Sequence, residues 1–163
     1  MKSRSILFSL VMLAASADAA LTKTALYGTW RLVIFTRTIL ATGETVDYFG
    51  KAPHGFITYG RDGRMMAIIV KGDRLTPNDL ATMTDQQRAD LFRTMIAYGG
   101  TYTFDGKIVT HHVDVSWNQI WTGTDQVRNA RLEGSRLILT SNPQPSSTDG
   151  KMSVAVLTWE RIK

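Results

Sequence analysis

Apolar and polar residues alternate over most of the chain beyond residue 26, which is the pattern of half-buried β-strands. The alternating runs are rich in β-branched and aromatic residues, and turn-forming residues separate them. The predicted strands lie at residues 27–36, 45–49, 55–59, 64–70, 100–104, 107–117, 124–132, 136–141 and 151–161. Residues 142–150 form a polar loop that contains prolines. The chain is therefore predicted to be mainly β.

Tight turns join several of these strands. Residues 60–63 are Gly-rich, 105–106 are Asp-Gly and 133–134 are Glu-Gly. Asp-Gly is the strongest of the three signals, because it supplies the two positive-φ residues of a type I′ turn. Short antiparallel strands in this number predict a closed barrel or a sandwich. The barrel is favoured because closure removes the sheet edges, and the sandwich stays as the alternative.

One helical segment interrupts the strands. Thr84 is predicted to cap a helix over residues 85–98, and Gln87 completes a capping box. Gly99 suits the position just after the helix, and Thr76 with Pro77 suits a shorter helical start before it. The predicted apolar stripe of the longer helix consists of Leu91, Phe92, Met95 and Ile96.

The first nineteen residues have the pattern of a secretory signal peptide. Lys2 and Arg4 precede an apolar stretch at 6–15, and an A-x-A cleavage site follows at 17–19. The apolar stretch is too short for an ordinary membrane-spanning helix. We expect a signal peptide over 1–19, one domain over 20–163, and a periplasmic or secreted protein without stable membrane insertion after cleavage.

The composition of the chain limits the kinds of partner that we expect. The formal net charge is +5, but the Lys and Arg residues are scattered singly rather than grouped in a basic block. A nucleic-acid partner is therefore not expected. The chain has no Cys, so the core must be large enough to be stable without disulfides.

The two ends of the predicted domain carry a family resemblance. Residues 28–32 read Gly-Thr-Trp-Arg-Leu on the first strand, and 157–161 read Leu-Thr-Trp-Glu-Arg on the last. Together with blocks at 54–59, 62–63, 97–102, 110–116 and 121–128, they resemble the bacterial and fungal lipocalin-like domain family.

The resemblance implies a calycin-type fold: a closed antiparallel β-barrel of about eight to ten strands with one inserted helical segment. In such barrels the first and last strands pair, so Arg161 would cover Trp30 at the closed end. These two residues are expected to be structural. The resemblance implies little about function, because members of a fold family need not share a ligand.

Residues 110–117 carry the most informative polar pattern. Strand alternation separates them into two faces. The polar face holds His112, Asp114 and Ser116. The apolar face, predicted to point inward, holds His111, Val113, Val115 and Trp117. Inside a barrel, His111 could orient a ligand by a hydrogen bond or act as a general base; a packed core histidine is the alternative.

Further candidate ligand-binding residues come from three places. Trp117, Asn118 and Trp121 could grip a ligand at a rim, or form a small core that pins a loop. Gln126 and Arg128 share a strand face, and an inward Arg128 would favour a carboxylate on the ligand. The tyrosines that could donate hydroxyls to a pocket, or simply pack in the core, are Tyr59, Tyr98 and Tyr102.

A catalytic triad and a metal site are not predicted. Residues two apart on a strand are separated by about 6.6 Å, whereas a nucleophile and its base come within about 3 Å. His111 and His112 point to opposite faces, and His54 is the only other histidine. Haem would need only one His, but nothing in the sequence favours it, so no cofactor is predicted.

Two classes of function remain open. The chain could be an exported protein that binds a small hydrophobic or amphipathic ligand in the barrel. Alternatively, it could be an isomerase, cyclase or hydrolase that uses His111 and neighbouring polar residues. A structural partner of an envelope complex is a third option. An inward His111 ringed by polar residues would favour the enzyme, and an apolar interior with isolated polar groups would favour carriage.

Overall fold

The computed structural model describes residues 21–162. It contains two short helices and a 3₁₀ turn: α1 (Lys23–Leu26), α2 (Asp85–Arg93) and Gln119–Trp121. The strands are β1 (Gly28–Ile39), β2 (Thr45–Asp47), β3 (His54–Tyr59), β4 (Arg64–Val70), β5 (Met95–Phe104), β6 (Ile108–Ser116), β7 (Asp125–Glu133), β8 (Arg136–Ser141), β9 (Gln144–Pro145) and β10 (Met152–Arg161). The predicted signal peptide lies outside the described residues.

Pairing of the first and last long strands closes the sheet. Strands β1 and β10 are antiparallel from Trp30 opposite Arg161 to Ile39 opposite Ser153. The order around the barrel is β1-β3-β4-β5-β6-β7-β8-β10, while β2 and β9 are short additions beside β1 and β10. The prediction of a closed antiparallel barrel is confirmed, and the sandwich alternative is wrong.

Helix α1 and the ends of β1 and β10 cover one end of the barrel. The indole N–H of Trp30 donates to the carbonyl of Leu26 at 2.8 Å, and the Arg161 guanidinium lies 4.2 Å from the ring centroid. Arg161 also donates to the carbonyls of Ala25 and Tyr27. Gly28 has φ +111°, and a Cβ there would lie 3.2 Å from an Arg161 nitrogen. The Gly-x-Trp motif therefore leaves room for the arginine.

Alternate residues along the strands fill the core, but two irregularities change which residues point inward. The register shifts in β1 after Leu32, so Phe35 is buried and Ile34 is 43% exposed. A second shift between β5 and β6 at Gly99/Gly100 leaves Val115 63% exposed. The prediction that Val115 faces inward is wrong, because a bulge reverses the alternation beyond it.

The helical prediction is correct at its start and wrong at its end. Thr84 and Gln87 form the predicted capping box. However, α2 ends at Arg93, and residues 95–98 belong to β5, where Ile96 and Tyr98 are buried core residues. Residues 76 and 77 are not helical. Within residues 21–162, neither helix has the length and apolar character needed to cross a bilayer.

The longer connections lie at the barrel end opposite Trp30 and Arg161. Because neighbouring strands are antiparallel, β1 ends there and β10 begins there. The segments 40–53, 71–94, 117–124 and 142–151 cross this end, which we call the mouth. Helix α2 and the short strands β2 and β9 belong to these segments.

Candidate ligand-binding site

An internal cavity of about 50 Å³ extends from the middle of the barrel to its mouth. Its walls are mostly apolar and include Phe35, Ile57, Ile69, Ile96, Leu139 and Leu157. Tyr48, Trp121 and Ser146 line it on the mouth side. The cavity has room for a few waters and is far below the 300–1,000 Å³ of a typical ligand pocket, so a larger molecule requires the mouth to open.

His111 lies in the interior between two tyrosines. Its side chain is 1% exposed. The Tyr59 hydroxyl is 2.8 Å from Nε2, and the Tyr98 hydroxyl is 2.9 Å from Nδ1. Burial holds the pKa of His111 well below its ordinary value, and the charge of Arg128 acts in the same direction. His111 is therefore neutral near pH 7.

A neutral imidazole has one N–H donor and one acceptor nitrogen, so the two hydroxyls have different roles. One tyrosine donates to His111, and the other accepts and keeps its own hydroxyl proton. Within residues 21–162 that proton meets no other acceptor. Tyr98 lines the cavity and Tyr59 does not. We assign the proton of His111 to Nδ1, because the other tautomer leaves the Tyr59 proton buried and unpaired, at a cost of about 1–3 kcal/mol.

Arg128 brings a positive charge into the same interior. It is 6% exposed and lies on β7, two residues from Gln126, which pairs with His111 across the β6–β7 strands. It donates to the Gln126 side-chain oxygen at 3.1 Å and to the Val127 carbonyl at 2.8 Å. Among residues 21–162, no carboxylate pairs with Arg128, and none lines the cavity.

The electrostatics of the cavity follow from burial. Burial raises the pKa of both Tyr59 and Tyr98, so their hydroxyls stay protonated. Burial also lowers the pKa of Arg128 from its very high ordinary value, which leaves the guanidinium charged at neutral pH. The interior thus holds one net positive charge and several hydrogen-bond donors.

Polar contacts hold the mouth closed. The Tyr48 hydroxyl is 2.8 Å from the Ser146 hydroxyl and 3.2 Å from that of Ser147. Beside them, Arg37 donates two hydrogen bonds to the Asp149 carboxylate, at 2.8 and 2.6 Å. Hydrogen bonding to Arg37 lowers the pKa of Asp149 well below its ordinary range. These contacts tie the segment 142–151 to β1 and to the residue after β2.

The predicted site residues are divided between the cavity and its surroundings. Four line the cavity: Tyr98, His111, Trp121 and Arg128. Tyr59 and Gln126 are one hydrogen bond away from it, on His111 and Arg128 respectively.

The other three predicted residues have contacts elsewhere. Tyr102 donates to the Gly60 carbonyl at 2.9 Å, away from the cavity. Asn118 caps the turn that follows it, through the N–H of Ile120. Trp117 packs edge-on against Trp121 at 5.0 Å and donates to the Phe92 carbonyl at 3.3 Å. Trp117 therefore contributes to a small aromatic cluster that supports Trp121.

The polar face of β6 is on the outside of the barrel. His112 contacts Asp125 at 2.7 Å, and Asp114 pairs with Arg64 at 3.1 Å. Ser116 contacts the Ala97 carbonyl at 3.5 Å rather than a histidine. These side chains form separate surface contacts. Within residues 21–162, no three His, Cys, Asp or Glu side chains are grouped as a metal site would require.

The structure adds cavity residues that the sequence pattern missed. Tyr48, Ser146 and Ser147 come from the mouth segments, and Trp159 comes from the strand that closes the barrel. The polar, proline-containing sequence of residues 142–150 predicts a loop, but it does not predict that this loop lines the cavity. Only the path of the loop over the barrel places it against Tyr48.

A closed barrel with an internal, mostly apolar cavity and a few inward polar groups defines a class of barrels that supports the binding of small molecules. The chain belongs to the lipocalin-like domain family, which matches residues 27–162. Solved structures similar to it include a mutant of the fluorescent protein UnaG, at 14% identity, with a TM-score of 0.42, covering 87% of this chain and 99% of that one. A comparison with curated proteins gives no match.

Proposed function

We propose that the protein is an exported binding protein for a small hydrophobic or amphipathic molecule, held in the barrel cavity. The observation that carries the proposal is the cavity itself. Apolar side chains form most of its wall, and Tyr98, His111 and Arg128 supply the polar groups. Few polar groups in an apolar pocket are typical of sites that fix the orientation of a ligand.

Entry of the ligand is through the mouth. The 50 Å³ cavity is far smaller than a typical ligand pocket, so we expect binding to displace side chains. Tyr48 and Ser146 contact each other across the mouth side of the cavity, and both line it. Separation of this pair would enlarge the cavity without breaking the strand pairing of the barrel.

An enzyme that uses His111 as a base is the second class, and the geometry supports it less well. Both ring nitrogens of His111 are engaged by tyrosine hydroxyls. A substrate would therefore meet the hydroxyl of Tyr98 before it met a basic nitrogen. Recovery of a bound compound in chemically unchanged form would support binding, and its conversion would support the enzyme.

Export is proposed from the N-terminal pattern of basic, apolar and small residues. Expression of the full chain in its host, followed by intact-mass measurement, tests this directly. A protein in the periplasm or the medium whose mass corresponds to a chain that starts near Ala20 supports the proposal. A full-length mass in the cytoplasm contradicts it.

Native mass spectrometry of protein purified from its host tests the binding function. We expect a mass increase from a bound small molecule, which organic extraction would remove. Ala155→Phe places a large side chain in the cavity wall, and Val154→Phe is the matched control because Val154 does not line the cavity. We expect Ala155→Phe alone to lose the bound molecule. An unliganded mass for the parent, with no binding in a broad metabolite and lipid screen, would contradict the proposal.

A further inference from the structure

The interior of the barrel offers hydrogen-bond donors to a ligand. A guanidinium has five N–H donors, and Arg128 places one on the Val127 carbonyl and one on the Gln126 side chain. Within residues 21–162 Arg128 makes these two side-chain hydrogen bonds, so its other N–H groups are available to a ligand. The indole N–H of Trp159, another cavity-lining residue, is buried without an acceptor in that part of the chain. A buried donor without an acceptor is costly unless a ligand supplies one.

Tyr98 adds a third donor on the cavity side. With the proton of His111 on Nδ1, this N–H donates a hydrogen bond to the Tyr98 oxygen, and the O–H of Tyr98 is free to donate to a ligand. On the other side of the imidazole, the Tyr59 hydroxyl donates a hydrogen bond to Nε2 of His111. His111 therefore acts as a positioning residue that turns the Tyr98 hydroxyl towards the cavity.

The charge in the cavity also lacks a counterion. Arg128 is 6% exposed, and the nineteen residues around the cavity include no Asp or Glu. An unpaired buried charge is strongly unfavourable, and a group of opposite charge relieves it. The group that matches one guanidinium is a monoanion, since a dianion would leave a net negative charge buried in its place.

We infer that the ligand carries a carboxylate. This carboxylate pairs with the Arg128 guanidinium and accepts a hydrogen bond from the Tyr98 hydroxyl, while the apolar part of the ligand lies along the aliphatic wall of the cavity. A planar carboxylate matches the two parallel N–H groups of a guanidinium. This inference rests on the proposed binding function and names the chemical class that the site takes.

The probes are matched pairs of acid and alcohol with the same apolar part: benzoate with benzyl alcohol, octanoate with octan-1-ol, and dodecanoate with dodecan-1-ol. Isothermal titration calorimetry at pH 7 measures each dissociation constant. For the pair of best-fitting length, we expect the acid to bind about 10- to 100-fold more tightly than the alcohol, as is typical of a buried hydrogen bond to a charged group. Octyl phosphate, mainly a dianion at this pH, should bind more weakly than octanoate.

Three variants test the residues. Arg128→Gln should remove the preference for the acid over the alcohol. Tyr98→Phe should weaken acid binding by about 3- to 10-fold. Arg131→Gln is the matched control on the same strand, because Arg131 is exposed and pairs with Glu133. Arg128→Lys keeps the charge and should keep part of the preference if Arg128→Gln does not fold.

The outcomes separate this inference from the binding function. If alcohols bind and acids bind no more tightly, the carboxylate inference is wrong and the binding function stands. If neither class binds, both fail. If the acid preference persists in Arg128→Gln, the anion binds elsewhere and the inference is also wrong.

Discussion

Removal of the Trp30 side chain tests whether this residue stabilises the barrel or contributes to ligand binding. The side chain is 1% exposed, donates to Leu26 and lies under the Arg161 guanidinium. Trp30 is not among the cavity-lining residues. Trp30→Ala therefore removes core packing, a buried hydrogen bond and a cation–π contact at once, all at the closed end.

The expected loss is large. Truncation of a buried Trp to Ala costs about 3–5 kcal/mol, and the upper end applies here because the Leu26 carbonyl loses its donor and Arg161 loses a contact worth about 0.5–2 kcal/mol. For a domain of this size, 5 kcal/mol lowers the melting temperature by about 10–20 °C. Trp30→Phe keeps most of the apolar area and loses the indole donor, so it should cost about 1–2 kcal/mol.

Circular dichroism melting curves measure these losses, and calorimetric titration measures the affinity for the best carboxylate. Ile120→Ala is the control for truncation of an exposed apolar side chain, since Ile120 is 80% exposed, and its effect should stay within about 0.5 kcal/mol. We expect affinity to change less than threefold in folded Trp30→Phe. Equal melting of Trp30→Ala and the parent, or a tenfold loss of affinity in Trp30→Phe, would refute this reasoning.

Three further predictions concern single sites. Burial lowers the pKa of His111 in the folded protein, so neutral His111 stabilises the fold above the ordinary histidine pKa, and this stabilisation is lost as the pH falls below about 6.5. Between pH 7.5 and 5, the melting temperature of the parent should therefore fall more than that of His111→Gln. Parallel plots of melting temperature against pH would contradict this. Asp149→Asn breaks the pair with Arg37, so stopped-flow association of octanoate should be faster than in the parent. Because the pKa of Asp149 is lowered in the folded state, the stability difference between Asp149→Asn and the parent should shrink as the pH falls below about 4, and a constant difference would show that the ion pair is not its cause. Gly28→Ala should lower the free energy of unfolding in urea by about 1–2 kcal/mol, because the residue has φ +111° and the new Cβ meets Arg161. No change would show that the start of β1 adapts to the substitution.

The strands were predictable from sequence where alternation and turn residues agree. The bounds of β4 and β8 match the prediction at both ends, because each strand is an apolar run that directly follows a Gly-containing turn. The same alternation correctly placed His111 inside and His112 outside. Local pattern is sufficient in these cases because one face of each strand is buried.

The failures come from tertiary structure that no local pattern contains. The bulges beside Ile34 and Val115 reverse the inward face without a sequence signal that we recognised. Ile96 and Tyr98 continue the apolar spacing of the preceding helix, so periodicity alone assigned them to it. Their strand conformation comes from pairing with β4 and β6, where Tyr98 lies opposite Ala67 and Ser116.

Arg128 departs from the rule that the rest of the barrel interior follows. Most inward positions are apolar, or carry hydroxyls and amides that find partners, whereas Arg128 is a buried charge without a carboxylate in residues 21–162. Such departures from local consistency are expected at functional sites, where stability is given up for binding. The contacts of Trp30 and Arg161 that close the barrel do not involve Arg128. The closure of the barrel therefore does not depend on how the charge of Arg128 is compensated.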